Sequence, residues 1–272
     1  MTNISIVLYN TNTEELTKLI KSFTDYEESF NKIYVVDNSK KNTLEVFFKS
    51  FDFIKYIHNP SNPGFGAAHN LAIQKSIEDN AKYHFVVNPD IHFSEDVIGP
   101  MVAYMENNPD VGMMMPQILN EDGTVQNLPK LLPSLYSVLM RKFKKPSFIY
   151  NDFIEKYELR FVDNDMIYNA PILSGCFTLL NLGAVKKIGP YDDKFFMYFE
   201  DWDLSRRMHQ KYKTIYFPNV SVYHGYHSGA NRNKRLFKIF LNSAQTYFNK
   251  WGWFFDEERT KFNKETLNQF KK

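Results

Sequence analysis

The sequence predicts an α/β fold, a mostly parallel β-sheet with helices on both faces. Three observations predict it. Through the first 118 residues, short runs of β-branched and apolar residues alternate with stretches of helical spacing. Polar turn formers close several of these runs, as Asp37-Asn38-Ser39 and Asn88-Pro89-Asp90 do. At 272 residues and 43% apolar content, the chain can bury one large core or two fused lobes.

The elements follow in order. Residues 4–9 read as a buried strand and residues 14–23 as a helix. Residues 33–36 form a second strand, 43–51 a helix and 53–58 a third strand. Residues 66–80, rich in Ala, Leu and Ile, read as a helix, and 83–87 as a fourth strand. A further helix ends near Asn107, before a fifth strand at 111–115. In such sheets ligands bind at the carboxyl ends of the strands, so Asn10, Asp37 and Asp90 converge on one crevice.

From Pro116 the alternation breaks. Asn120-Glu121-Asp122-Gly123-Thr124 carries an Asp-Gly turn signal. Residues 172–180 read as a strand interrupted by Ser174-Gly175-Cys176, then a helix runs from the acidic cluster to about Lys211, and 214–224 returns as strand. The last helix, 235–251, places Leu236, Phe237, Phe240, Ala244, Tyr247, Phe248 and Trp251 on one stripe. The organisation expected is a ligand-binding lobe at 1–118, a second lobe at 119–230 and a basic amphipathic extension at 231–272, in one continuous globular unit.

Charge is uneven. The net value is +2, yet residues 231–272 hold ten basic and four acidic side chains, and residues 129–150 hold five basic ones and no acid. A basic tail on an acidic body suits an anionic partner such as phospholipid; a solvated basic helix face is the plainer account. No nucleic-acid recognition motif accompanies the charge. Cys176 is the sole cysteine, which excludes an intrachain disulfide. No uncharged apolar run of 18 residues and no leader pattern is visible, so the expectation is a cytoplasmic protein, able to attach to the cytoplasmic face of the inner membrane.

The chemistry concentrates in residues 195–207. Glu200, Asp201 and Asp203 stand behind the aromatic block Phe195-Phe196-Met197-Tyr198-Phe199 and ahead of a helix. Carboxylates beside so much apolar surface need compensation, which catalysis supplies a reason for; an acidic first helical turn is the alternative. The passage 59–70 joins a loop to a helix, where glycines and free amides can approach an anion, although a turn and cap would look the same. Asp37 can accept the imide hydrogen of a pyrimidine or form a turn. Asp90 suits a divalent cation, since Mg²⁺ or Mn²⁺ needs only one or two protein carboxylates beside phosphate oxygens.

The motifs at 35–39, 62–70, 88–90, 174–177 and 195–204, in this order, resemble family 2 glycosyltransferases of the GT-A, Rossmann-like fold. The similarity covers about residues 3–230 and points to the branch with bacterial rhamnosyltransferases of surface-polysaccharide (O-antigen) assembly. It implies an α/β sheet with a fused acceptor lobe and C-terminal helix. It also implies an inverting hexosyltransferase that takes a nucleoside-diphosphate sugar, rhamnose from a thymidine-diphospho donor first, to a saccharide acceptor on a polyprenyl diphosphate.

Residue by residue, the resemblance makes Asp201 the general base and Glu200 its acidic neighbour. Tyr9, Asn10, Asp37, Asn62, Gly64, Phe65, Gly66, Asn70, Asn88 and Asp90 would form the nucleotide-sugar site. Gly175, Tyr198, Trp202 and Asp203 would meet the acceptor. Asp90 matches the last carboxylate of the family's metal motif, with His224 or His227 as a nitrogen ligand. Asn88 stands where that motif has its first Asp, which leaves metal dependence open. Two other readings stay in view: a non-catalytic protein that binds glycan or nucleotide sugar, and a sugar nucleotidyltransferase. The latter is disfavoured because residues 9–15 carry neither glycine nor base.

Overall fold

The computed structural model describes residues 1–225 and 234–271. His227 and the start of the expected C-terminal extension lie outside the described residues. The chain opens with β1 (Thr2–Leu8), α1 (Thr13–Thr24), β2 (Lys32–Asp37), α2 (Glu45–Phe48), β3 (Ile54–His58), α3 (Phe65–Glu78) and β4 (Tyr83–Val87). There follow β5 (Ile91–His92), α4 (Ile98–Asn107), β6 (Val111–Leu119), α5 (Leu135–Phe143) and α6 (Ser147–Tyr157). The remainder is β7 (Tyr168–Asn169), β8 (Phe177–Asn181), α7 (Leu182–Ile188), α8 (Glu200–His209), β9 (Lys213–His224), α9 (Lys234–Trp251) and α10 (Glu257–Asn268).

All strands share one sheet, in the order β3-β2-β1-β4-β8-β6-β9-β5, with β7 against β9. The β3-β2-β1-β4 portion is parallel, as the strand-helix alternation predicts. Beyond β4 the sheet is mixed, because β8 inserts antiparallel between β4 and β6. One sheet therefore crosses the boundary drawn at residue 118. β1 and β4 are buried on both faces, and their polar members Ser5 and His84 bond each other inside the fold.

Some expectations change. The helix drawn at 43–51 is a single turn, α2, which drops Phe48 onto the core just before the chain enters β3. The strand drawn at 172–180 begins only at Phe177, since Ser174-Gly175-Cys176 is a turn whose backbone serves the site. The Asp-Gly turn forms: Asn120 N–H donates to the Thr124 carbonyl at 2.8 Å, and Gly123 takes φ 82°.

The apolar stripe of α9 does not face outward. Ala244, Tyr247 and Phe248 pack with Phe195 and Phe199 of the acidic loop, and Phe240 and Trp251 flank them. The stripe of α9 therefore covers the acidic loop. α10, too polar to announce itself, is tied in by Arg206, whose guanidinium donates twice to Asp256 at 2.7 Å and to Glu258 at 2.9 Å. The Arg206 side chain is 2% exposed, so the extension belongs to the globular body.

Candidate active site

Phe195 to Phe199 set the geometry of the acidic cluster. Tyr198 (φ 71°) and Phe199 (φ 66°) both adopt the left-handed region, which costs about 1–3 kcal/mol for each such residue. Burial holds them there: Phe195, Phe199, Tyr247 and Phe248 are nearly inaccessible, and Ser243 Oγ donates to the Met197 carbonyl at 2.8 Å. The double left-handed turn swings the chain so that α8 starts at Glu200. Glu200 and Asp201 thus sit in its first turn, where the helix dipole favours negative charge.

Asp201 is held by two backbone amides. Gly175 N–H donates to Oδ2 at 3.2 Å and Trp202 N–H to Oδ1 at 2.9 Å. Burial raises its pKa above the ordinary carboxylate value, against the pull of those amides and of Lys130. Its neighbour Glu200 is buried, with Oε2 lacking a hydrogen-bond partner, and burial followed by the Asp201 charge pushes its carboxyl far up.

Lys130 is the residue that sequence reading missed. It is 5% exposed, with Nζ donating to the Leu128 carbonyl at 2.8 Å, and burial brings its ammonium down to about 8. Its charge acts on Asp201 across the site. The only sequence signal was a lysine within an otherwise apolar, proline-flanked run, which does not mark a site.

Asp90 and His224 come together because β5 pairs Ile91 with His224. His224 Nε2 stands 3.4 Å from Asp90 Oδ1 and 3.4 Å from Asn88 Nδ2. Gln126 Oε1 can only accept, at 3.1 Å, so Nδ1 carries the proton and Nε2 presents a lone pair. The Asn88 amide stands against that lone pair as a donor, at the long distance of 3.4 Å. The donor set fits a divalent cation that takes its other ligands from a diphosphate and water. Among the described residues no cluster of three His, Cys, Asp or Glu side chains is preformed. The turn at Gly175-Cys176 connects this corner to Asp201: Gly175 N–H binds Asp201, and the Cys176 carbonyl accepts from Asn88 N–H at 2.8 Å. Burial pushes the Cys176 thiol up to about 12, so it is a buried filler and no nucleophile.

The nucleotide side is built on turns. Tyr9 is 49% exposed, and Asn10 (φ 51°) donates its N–H to Ser39 Oγ at 2.8 Å. Asn62 (φ 45°) and Gly64 (φ 105°) bend the chain into α3, and Phe65 N–H donates to the Phe196 carbonyl at 2.8 Å. Gly66 backs onto Tyr191, and Phe65 packs on His69 at 4.4 Å between ring centroids. Two roles are corrected. Asp37 is 0% exposed, its oxygens occupied by Ser39 N–H at 2.9 Å and Tyr56 OH at 2.7 Å, so it holds the turn and presents no face to a base. The Asn70 side chain is spent on Tyr191 and Asp193, where it pins the loop before the acidic run.

Comparison with known proteins decides the family. The model of glycosyl transferase family 2 matches residues 4–189. The chain belongs to this family. An N-acetylglucosaminyl-diphospho-decaprenol L-rhamnosyltransferase of Mycobacterium tuberculosis is 24% identical over 221 residues, covering 77% of this chain and 71% of that protein. Rhamnosyltransferase WbbL of Escherichia coli K12 is 23% identical over 243 residues, 85% of each chain. Among solved structures, GalNAc-T7 with UDP, GalNAc and Mn²⁺ superposes with a TM-score of 0.61 at 16% identity, over 84% of this chain and 44% of that one. S. aureus TarS 1-349 with UDP gives 0.56 at 13%, over 98% and 71%. These two likenesses establish the GT-A fold.

In this family 2 glycosyltransferase the expected acceptor residues separate. Gly175 positions Asp201 through its amide. Tyr198 packs on Phe240 at 5.9 Å, and Trp202 stands edge-on to Phe199 at 4.6 Å, with the Arg141 guanidinium 5.9 Å from its ring. Asp203 cannot meet an acceptor: it is 0% exposed and receives Arg207, Trp251 Nε1 and Lys250. Arg207 also donates to the carbonyls of Ile188, Gly189 and Pro190, so both arginines pair within the fold.

Proposed function

We propose that the protein is an inverting glycosyltransferase with Asp201 as general base. The observation that carries this reading is the linkage through Gly175-Cys176, which sets a backbone-aligned carboxylate one peptide unit from the Asn88-Asp90-His224 corner. In this reading base and leaving-group site face a bound anomeric carbon from opposite sides. Asp201 takes the proton of the acceptor hydroxyl as it attacks, and a single displacement inverts that carbon. Asp90 and His224 would hold Mg²⁺ or Mn²⁺, which would supply positive charge to the departing diphosphate. The turn carried by Asp37, with Tyr9, Asn10 and residues 62–66, walls the nucleotide.

The relatives' names support the finer reading. The donor is a thymidine-diphospho sugar, rhamnose first, and the acceptor a saccharide on a polyprenyl diphosphate in surface-polysaccharide assembly. Such an acceptor calls for attachment at the cytoplasmic face of a membrane. No helix among the described residues is long and apolar enough to cross one.

The test is a panel of thymidine-, uridine- and guanosine-diphospho sugars, measured for binding and hydrolysis with and without Mn²⁺, on wild type and Asp90→Ala. Binding of one nucleotide class, strengthened by Mn²⁺ in wild type alone, is expected. Binding of no nucleotide would remove the donor assignment, and equal binding in excess chelator would remove the cation from it.

A further inference from the structure

We propose that the corner between α5 and α6 is a docking surface for an anionic phospholipid bilayer. Its purpose rests on the lipid-linked acceptor reading above; its substance rests on separate observations. α5 ends at Phe143 and α6 starts at Ser147, so the two helices meet in a tight tip. Around that tip Phe143 is 66% exposed, Phe148 69%, Leu139 46% and Ile149 41%. Large apolar side chains this open on a helical corner are unusual when nothing covers them. Their neighbours are cations: Arg141, Lys142, Lys144 and Lys145, with no acidic residue anywhere in 129–150.

The first turns of α9 extend the same charge. Lys142 lies over the Phe237 ring at 4.3 Å, which seats the end of α5 against α9, where Lys234, Arg235 and Lys238 are exposed. Glu158 pairs with Arg141 at 3.3 Å and also with Arg160. Apolar residues ringed by cations match a bilayer interface, where rings and aliphatic groups enter the acyl boundary and ammonium groups meet lipid phosphates. An acidic protein partner would match the charge but leave the protruding rings without a counterpart.

Position favours the same occupant. Arg141 reaches over Trp202, the residue after Asp201, so the tip borders the acceptor side of the site. A second exposed aromatic pair provides a contrast. Phe254 (71%) and Phe255 (95%) follow α9 and precede Asp256, Glu257 and Glu258. They lie beyond the other end of an 18-residue helix, about 27 Å away along its axis. Asp256 and Glu258 are paired with Arg206, and the exposed Glu257 would be repelled by an anionic surface.

The test is sedimentation of the full chain with vesicles of phosphatidylglycerol and phosphatidylcholine, or of phosphatidylcholine alone, without sugar or donor. Wild type should pellet with the anionic vesicles and release as salt is added. Phe143→Ser with Phe148→Ser, and separately Lys144→Gln with Lys145→Gln, should each lower the partition coefficient tenfold or more. Phe254→Ser with Phe255→Ser should leave it within twofold. Circular dichroism melts confirm that each variant is folded. Wild type left in the supernatant at low salt overturns the proposal, as does loss of binding in the Phe254/Phe255 variant alone. Donor hydrolysis by the same preparations keeps the two readings apart. An active enzyme that ignores vesicles overturns the docking surface only. Vesicle binding without any turnover leaves the surface standing and overturns the transfer reading.

Discussion

A Cβ atom placed on Gly64 would stand 2.2 Å from the carbonyl oxygen of Phe196. That close approach joins the loop entering α3 to the loop entering α8, and the Phe65 N–H bond to the same carbonyl closes it. The loop entering α3 and the acidic turn are therefore one mechanical unit.

Gly64→Ala should break this unit. The substituent meets backbone, which cannot swing away, and φ 105° strains any L side chain. A loss of about 2 kcal/mol or more in stability is expected, with transfer falling further than the melting temperature alone explains. Thermal melts and initial rates measure both. A variant with wild-type melting and wild-type rate would show that the two loops are not coupled.

Asp201→Asn keeps the shape and, through its single amide oxygen, one of the two backbone contacts, but removes the basic carboxylate. The transfer rate should fall by about 10²–10⁴-fold while nucleoside diphosphate affinity stays within a factor of about two. Calorimetry and single-turnover rates separate the two quantities. A rate within about threefold of wild type would dismiss Asp201 as the base.

Lys130 gives the pH profile a handle. Its positive charge favours the ionised form of Asp201, so removing it must raise the Asp201 pKa. Lys130→Met should move the acidic limb of the transfer profile upward, because the base is then protonated at higher pH. Above the Lys130 pKa of about 8 the wild-type amine is neutral and the charge effect vanishes. The two profiles should therefore converge there, apart from a constant factor from lost packing. An unmoved acidic limb would mean that Lys130 only props the loop at 127–130.

The sheet was legible because its signal is local. Runs such as Tyr83–Val87 are buried on both faces, and continuous apolar stretches of that length leave little choice of conformation. The acidic run and the Asn88-Pro89-Asp90 turn were legible for a related reason: carboxylates adjoining apolar sequence stand out as a cost that needs compensation. Roles within the site were not. Asp37, Asn70 and Asp203 have the chemistry of binding groups, yet each is consumed by internal partners far away in sequence, such as Tyr56 for Asp37 and Trp251 for Asp203.

By itself the sequence determined the α/β class, the order of the N-terminal strands and helices, and the two acidic features that flank the chemistry. Those depend on periodicity and on turn residues, which act over a few positions. Tertiary structure alone decided what buries Glu200 and Asp201, what the α9 stripe covers and where Lys130 points. Burial and electrostatic coupling depend on everything within several ångströms, and that neighbourhood is assembled from Gly175, Lys130, Trp202 and His224, which the chain holds far apart until it folds.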